Sequence, residues 1–324
     1  MEINKVYNID FLNNDLPDKC AKLIIADPPY YKVKGDFDFI WKTFDDYLAD
    51  VEKWAVECKR LLADNGTLFW YGDAKNIAYS QIIFDKHFNL LNNIVWENTN
   101  DHKQQIRFNE DLRSFAPLTE RILMYANDNG LIEIQNNQTL YKPIRDYFSI
   151  ERAKIKESLS TINKIAFGDK SGKDGMAGNI LSPYKKGWSF PVEDKYNKLQ
   201  KTYNICLKPY KDLRKEYENL KTEYEKTRRP FNNYLHLGDV IRLPNYETST
   251  FDHDTIKPEK LTRIFITTCT NENDLVVVPF AGSGTECAMS VKEKRNFVGF
   301  EITEKHATMS NERVYTYLTA PTMF

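Results

Sequence analysis

Two short, almost wholly apolar runs near the two ends of the chain constrain its fold most strongly. Residues 23–26 (LIIA) lead into a rigid tetrapeptide, DPPY, and residues 274–278 (DLVVV) lead into a turn that contains Gly282 and Gly284. Short apolar runs bounded by turn residues are typical of strands buried on both faces. Such strands occur in parallel sheets that are covered by helices on both sides.

Helical patterns alternate with these strands. Apolar residues from Phe44 to Leu62 recur at steps of three and four behind Thr43, which predicts an amphipathic helix with a threonine N-cap. Further strands are expected at 67–71, 93–96, 121–125 and 296–301, and further helices at 74–85, 260–268 and 303–318. This alternation predicts an α/β fold with a doubly wound, mostly parallel sheet.

The middle third of the chain has a different pattern. Residues 139–230 hold 21 Lys and Arg against 12 Asp and Glu, a net charge of +9, and the rest of the chain has a net charge of −10. Residues 146–166 read as helical, and a heptad pattern from Leu199 to Tyr224 is interrupted by Pro209, which predicts two consecutive helices. We therefore predict a sheet domain in two halves, 1–135 and 234–324, with a helical insertion at 136–233. The charge asymmetry favours a polyanionic partner, although a solvated Lys/Glu helix face would explain it equally well.

Composition excludes several classes of protein. The chain of 324 residues is 41% hydrophobic, enough for a sizeable core, so overall disorder is excluded. It has no uncharged apolar run long enough to span a membrane, and its first ten residues lack the apolar stretch of a secretory signal, so we expect a cytoplasmic protein. Five scattered cysteines show neither CxxC nor Cys/His spacing, which argues against disulfides and zinc.

The glycine turn is the first candidate for chemistry. It comprises Pro279, Phe280, Ala281, Gly282, Ser283, Gly284 and Thr285. Glycines between a strand and a helix let the backbone approach a ligand closely. No Lys-Ser/Thr follows Gly284, and Cys287 replaces the third glycine of a dinucleotide motif, so neither a phosphate loop nor a dinucleotide site fits. Glu301, after the next strand, could accept hydrogen bonds from two ribose hydroxyls. A nucleoside without a pyrophosphate is the predicted ligand, and a purely structural turn is the alternative.

The tetrapeptide Asp27-Pro28-Pro29-Tyr30 is the second candidate. Consecutive prolines fix the backbone and leave carbonyl oxygens without a local donor. Asp27 adds a carboxylate acceptor, and Tyr30 adds a flat ring on which a base could stack. A rigid arc of acceptors suits an exocyclic amino group, although the tetrapeptide alone could be a simple turn.

Together these motifs resemble those of S-adenosylmethionine-dependent DNA amino-methyltransferases. DPPY resembles the family's catalytic motif and PFAGSGT its methionine-binding motif, over roughly residues 1–125 and 235–324. The catalytic motif precedes the cofactor motif and the insertion lies between them, which is the order of the β class. The resemblance implies a Rossmann-like methyltransferase fold with permuted motif order. It also implies that 1–135 is the catalytic half, 136–233 the target-recognition insertion and 234–324 the cofactor-binding half.

The resemblance implies a set of site residues. The catalytic residues are Asp27, Pro28, Pro29 and Tyr30, and S-adenosyl-L-methionine is held by Asp10, Phe11, Asp27, Lys257, Pro279, Phe280, Gly282, Ser283, Gly284, Thr285 and Glu301. Family members usually carry an aspartate, which helps to hold the cofactor's amino group, where this chain has Val278. No metal is expected.

The resemblance also implies the substrate. Asp rather than Ser before Pro-Pro-Tyr favours adenine N6 over cytosine N4 as the methylated atom. Double-stranded DNA is the expected partner, with a homodimer and a restriction endonuclease counterpart as further possibilities. The DNA-contact candidates are Arg107 in the polar loop 101–113 and, in a helix-turn-helix-like stretch from Glu151 to Leu181 and just beyond it, Lys170, Lys173, Lys185, Lys186 and Trp188. Methylation of RNA or of a protein glutamine, and a DNA-binding relative that has lost catalysis, remain alternatives.

Overall fold

The computed structural model describes residues 1–33, 40–99, 113, 115, 118–127, 141–169, 171–185, 188–245 and 256–319. The chain divides into two compact units, one formed by residues 1–129 and 229–324 and the other by residues 130–228. The boundaries predicted from the sequence follow residues 135 and 233. A segment from the middle of the chain thus forms a unit of its own, while the two ends together build the first.

The first unit contains an eight-stranded sheet. Its strands are β1 (Lys5–Tyr7), β2 (Ala21–Ala26), β3 (Leu62–Gly72), β4 (Asn89–Asn98), β5 (Thr119–Ala126), β6 (Val240–Leu243), β7 (Leu275–Val278) and β8 (Asn296–Phe300). The order across the sheet is β1-β8-β7-β2-β3-β5-β4-β6. β5 pairs antiparallel with both β3 and β4, and the other pairs are parallel. The predicted mostly parallel sheet is confirmed, and β1 and β6 are strands that the sequence patterns missed because each is only three or four residues long.

The helices described are α1 (Phe44–Leu61), α2 (Ile77–Phe84), α3 (Lys142–Ala153), α4 (Leu159–Phe167), α5 (Gly175–Leu181), α6 (Glu193–Tyr203), α7 (Tyr210–Thr227), α8 (Glu259–Cys269), α9 (Thr285–Lys292) and α10 (Glu304–Thr319). A short 3-10 helix spans Phe11–Asn13. Thr43 caps α1 as predicted, accepting a hydrogen bond from the Asp46 backbone nitrogen. Within the described residues no helix is both long enough and apolar enough to cross a bilayer.

Two hydrophobic clusters cover the two faces of the sheet. Leu23 and Ile25 of β2 pack in the cluster that includes α8, α9 and α10, whereas Ile24 and Ala26 pack in the cluster with α1 and α2. Alternate side chains of one strand thus enter opposite cores, as expected for a strand buried on both faces. The doubly wound arrangement follows from this pattern.

The second unit is helical and has its own core. Leu199 of α6 and Leu213 of α7 are buried in it with residues of α3, α4 and α5, so the heptad pattern is satisfied inside the unit. Asn204 ends α6 in the left-handed conformation (φ 51°), and Pro209 is the N-cap of α7, which gives the two predicted helices. The single helical stretch expected at 146–166 is instead two helices, because Ser158 starts a new one by accepting a hydrogen bond from the Thr161 backbone nitrogen.

Candidate active site

The sequence-predicted motifs meet at one edge of the sheet. β1, β8, β7 and β2 are neighbouring parallel strands, so their carboxyl ends lie at the same edge. Asp10 follows β1, Asp27 follows β2, Pro279 follows β7 and Glu301 follows β8. Because β5 runs the other way, its first residues lie at this edge too, which brings Glu120 to the same place.

These strand ends surround a cavity of about 600 Å³. Its wall includes most of the predicted site residues: Asp10, Phe11, Asp27, Pro28, Pro29, Tyr30, Lys257, Pro279, Phe280, Gly282, Ser283 and Glu301. The chain therefore brings residues from its first 30 positions and its last 70 into one wall. Gly284 and Thr285 are not in the wall, although both belong to the same loop.

Asp27 is held in a closed set of contacts. Its Oδ1 accepts a hydrogen bond of 2.6 Å from the Tyr30 hydroxyl, and its Oδ2 lies 2.8 Å from the Lys257 Nζ. The same ammonium lies 3.3 Å from Glu120 Oε2, which also accepts a longer hydrogen bond, 3.4 Å, from Tyr30. Two carboxylates, one lysine and one tyrosine thus hold one another, and the backbone at Pro28 and Pro29 is fixed by its rings.

Burial and neighbouring charges shift the pKa values of Lys257, Glu120 and Tyr30. Burial alone would lower the pKa of Lys257, but Asp27 and Glu120 raise that pKa above its usual value, so the ammonium stays charged. Burial raises the pKa of Glu120, and the charge of Lys257 opposes that rise. Burial and then Asp27 raise the pKa of Tyr30 well above its usual value, so its hydroxyl remains a neutral donor. The Lys257 ammonium therefore stabilises the negative charges of both Asp27 and Glu120.

The glycine loop is shaped by hydrogen bonds to Glu301 and Ser310. The Gly282 backbone nitrogen donates to Glu301 Oε2 at 2.9 Å, and the Thr303 nitrogen donates to Glu301 Oε1 at 2.8 Å. The Ser310 hydroxyl donates to the Gly282 carbonyl at 2.7 Å. Gly284 has φ 76°, and a Cβ placed on it would lie 2.9 Å from the Ser310 Cα. Only glycine satisfies both conditions there.

Arg313 of α10 is a buried residue that sequence reasoning missed. Its NH1 donates to Thr285 Oγ1 at 2.8 Å and to the Ser283 carbonyl at 3.3 Å, and its NH2 lies 2.9 Å from Glu259 Oε1. The Thr285 hydroxyl is therefore turned toward this arginine. Arg313 joins the glycine loop to the start of α8, next to Lys257, and so supports the geometry of the wall.

Glu286 is a second missed residue. It lies in the first turn of α9, lines the cavity and is only 5% exposed. Burial raises its pKa to about 7, and the charge of Asp27 adds to that rise. Val278, where the family resemblance leads one to expect an acid, is a buried apolar residue at the end of β7. The sequence held one signal for a buried acid here: Glu286 directly precedes a run of small and apolar residues from Cys287 to Val291.

The remaining wall is aromatic and acidic. Phe280 packs against Phe11 and Trp54, with ring centroids 6.3 and 5.0 Å apart. The Asp10 carboxylate accepts a hydrogen bond from the Leu12 backbone nitrogen at 2.8 Å. Among the described residues, seven carboxylates line the cavity against one lysine and one histidine. A planar group with a cationic part fits such a wall, because the rings supply apolar surface and the acids supply negative charge.

The DNA-contact candidates are only partly within the described residues. Arg107, Lys170 and Lys186 lie outside them. Lys173 is exposed, and Lys185 is 70% exposed with its Nζ 3.9 Å from Asp174. Trp188 packs against the core of the helical unit and donates its indole N–H to the Ile180 carbonyl at 3.1 Å. The stretch from Glu151 to Leu181 holds the end of α3 together with α4 and α5.

Similarity to known proteins extends over most of the chain. The model of the N6_N4_Mtase family, described as DNA methylase, matches residues 21–312. The Type II methyltransferase M1.MboII of Moraxella bovis is 23% identical and covers 96% of both chains. The DNA adenine methyltransferase YhdJ of Escherichia coli (strain K12) is 25% identical over 92% of this chain and 78% of its own length. The structure of TTHA0409 from Thermus thermophilus in complex with S-adenosyl-L-methionine aligns with a TM-score of 0.54 at 16% identity, over 98% of this chain and 95% of that one.

Proposed function

Because the chain belongs to the N6/N4 family of DNA methylases, we propose that it transfers a methyl group from S-adenosyl-L-methionine to the N6 amino group of an adenine in double-stranded DNA. The observation that carries the proposal is the position of Asp27. Its carboxylate ends a buried strand, is oriented by Lys257 and Tyr30, and faces the same cavity as the glycine loop. An amino group held by Asp27 and a donor held by that loop would share one wall.

The chain's own residues suit this cofactor. Asp10 and Glu301 are the acceptors for its adenosine, and the rings of Phe11 and Phe280 provide the apolar wall. Glu301 is already oriented by two backbone nitrogens. The excess of carboxylates in the wall balances the positive charge of a sulfonium and an ammonium. When bound, the cofactor supplies an electrophilic methyl group.

Asp27, Pro28 and Tyr30 position the target. The adenine must leave the duplex, at a cost of a few kcal/mol, because its amino group is out of reach while it is stacked. An ionised carboxylate offers about four acceptor positions, so Asp27 can keep its bonds to Tyr30 and Lys257 and still accept one N6 hydrogen. The Pro28 carbonyl accepts the other, and the Tyr30 ring stacks on the base. These contacts direct the nitrogen lone pair toward the methyl carbon. The N–C bond forms as the S–C bond breaks, S-adenosylhomocysteine leaves, and one N6 proton departs along its hydrogen bond to Asp27, so catalysis rests on positioning and electrostatics.

The proposal extends to partners. A helical unit with a basic composition is suited to recognise the target sequence through contacts to phosphates and base edges. M1.MboII is named as a Type II methyltransferase, which supports a restriction endonuclease as a counterpart of this enzyme in the cytoplasm of its cell. We propose in addition that the enzyme forms a homodimer.

Methyl transfer to several substrates in parallel tests the function. The purified protein is incubated with radiolabelled S-adenosylmethionine and with duplex DNA, RNA or total protein. We expect label in duplex DNA. Label confined to RNA or to protein would contradict the proposal. If no substrate is labelled, calorimetric titration with the cofactor distinguishes an unsuitable DNA sequence, which leaves cofactor binding intact, from an inactive relative, which would show no binding.

A further inference from the structure

We propose that Glu286 is the carboxylate that binds the α-ammonium group of the cofactor's methionine part. This inference rests on the proposed function, since it assigns a residue to the cofactor of that reaction. The argument comes from the position, burial and surroundings of Glu286.

Glu286 is poorly compensated where it lies. Within the described part of the chain, its carboxylate receives a hydrogen bond from the Thr262 hydroxyl at 3.4 Å and one from its own backbone nitrogen, and it has no lysine or arginine nitrogen within 4 Å. A carboxylate at the start of a helix is favoured by the helix dipole, but that benefit does not require burial. A buried charge without an ionic partner strongly disfavours the folded state. Such a group is retained more readily if a ligand completes its environment.

The surrounding charges select a cation. Lys257 is already engaged by Asp27 and Glu120, and Arg313 is engaged by Glu259 and the glycine loop. Three carboxylates, Asp27, Glu120 and Glu286, thus line the wall with Lys257, and the Lys257 ammonium contacts only the first two. A second ammonium beside Glu286 restores the balance. The glycine loop, which immediately precedes Glu286, resembles the motif that binds the methionine part of the cofactor in the family.

The test compares two ligands that differ in the amino acid part, which carries the α-ammonium. S-adenosylhomocysteine carries the amino acid part, whereas methylthioadenosine lacks it. In Glu286→Gln, which keeps the shape and removes the charge, we expect affinity for S-adenosylhomocysteine to fall about 10- to 100-fold, the loss for one charge-assisted hydrogen bond. Affinity for methylthioadenosine should not change. Glu293→Gln is the matched control, because Glu293 lies at the far end of the same helix, pairs with Arg263 and is absent from the cavity wall.

The pH dependence gives an independent readout. Glu286 has a pKa of about 7 in the free protein, so affinity for S-adenosylhomocysteine should rise between about pH 6 and 8 as the carboxylate forms. The groups that face it are Asp27, Lys257, Arg313, Thr262, Tyr71 and Cys287. The raised pKa values of Lys257, Tyr71 and Cys287 keep these three from titrating in this range. The rise should be absent for methylthioadenosine and absent in Glu286→Gln.

Stability separates this role from a structural one. Because its pKa is raised by folding, ionised Glu286 opposes folding above pH 7, so Glu286→Gln without ligand should melt at or above the temperature of the unmodified protein at pH 8. A lower melting temperature, or equal losses of affinity for both ligands, or no loss at all, would overturn the assignment. If the unmodified protein binds neither ligand, the proposed function itself fails. If it binds both and Glu286→Gln behaves identically, only this inference fails.

Discussion

Replacing Lys257 by methionine should destabilise the sheet unit strongly. The Lys257 ammonium lies 2.8 Å from Asp27 and 3.3 Å from Glu120, and its side chain is only 5% exposed. Removing one partner from a buried ion pair costs about 3–5 kcal/mol, because the remaining charge is left uncompensated. In a unit built from residues 1–129 and 229–324, each kcal/mol lost from the free energy of unfolding lowers the melting temperature by about 2–4 °C. We expect Lys257→Met to melt about 6–20 °C lower at pH 8.

The matched control is Lys19→Met. Lys19 lies at the same distance, 2.8 Å, from Asp64, but the two side chains are 62% and 65% exposed. An exposed pair of this kind contributes about 1 kcal/mol or less, so its loss should shift the melting temperature by a few degrees at most. Equal shifts in the two variants, measured by circular dichroism during heating, would refute the argument that burial makes the Lys257 pair costly to break.

The loss of stability in Lys257→Met should also depend on pH. Burial raises the pKa of Glu120, and Lys257 is the charge that opposes this. Without the lysine the pKa of Glu120 rises further, so the folded state binds a proton more readily than the unfolded state. A group with a raised folded pKa favours folding at low pH and disfavours it as pH rises. The difference in melting temperature should therefore narrow from pH 8 to pH 5, and a constant difference would contradict the charge argument.

Three further predictions concern catalysis and binding. Asp27→Asn should lower methyl transfer about 100- to 1000-fold, measured with labelled cofactor, while calorimetry still shows cofactor binding; near-normal turnover would remove Asp27 from its role. Gly284→Val should weaken cofactor binding in a titration, since the added Cβ meets the Ser310 backbone at 2.9 Å; unchanged affinity would show that the loop tolerates a side chain. Affinity for duplex DNA, measured by fluorescence anisotropy, should fall steeply between about 50 and 200 mM salt, and a flat response would argue against phosphate contacts by the basic unit.

The sequence predicted the strands that carry the site because their signals are local. The runs at 23–26 and 275–278 consist of apolar residues only. Each is followed within two residues by a proline, which favours the end of a strand. Parallel strands share their carboxyl edge, so the meeting of Asp27 with the glycine loop could be expected from order and direction alone. Thr43 was recognisable as a cap from its position before the apolar pattern.

What the sequence did not predict depends on contacts between distant residues. Lys257 was expected near the cofactor, but its bond to Asp27 joins positions 230 residues apart, and nothing in either segment indicates it. Arg313 reads as an ordinary charge in a C-terminal helix until its contacts with Thr285 and Glu259 are seen. In the sequence Glu286 looks like an ordinary acid at the start of a helix. Its burial could not be predicted, because burial depends on how distant segments pack. β1 pairs with β8 from the other end of the chain, so its three residues carry little pattern of their own.

The central claim is that the Asp27 carboxylate holds an adenine amino group for methylation, and identifying the modified nucleoside tests it most directly. Duplex DNA treated with the protein and S-adenosylmethionine is digested to nucleosides and analysed by mass spectrometry. We expect N6-methyladenosine in its deoxy form, absent when Asp27→Asn is used. Detection of N4-methyldeoxycytidine alone would contradict the assignment of the base, and equal N6-methyladenine from both proteins would contradict the role of Asp27.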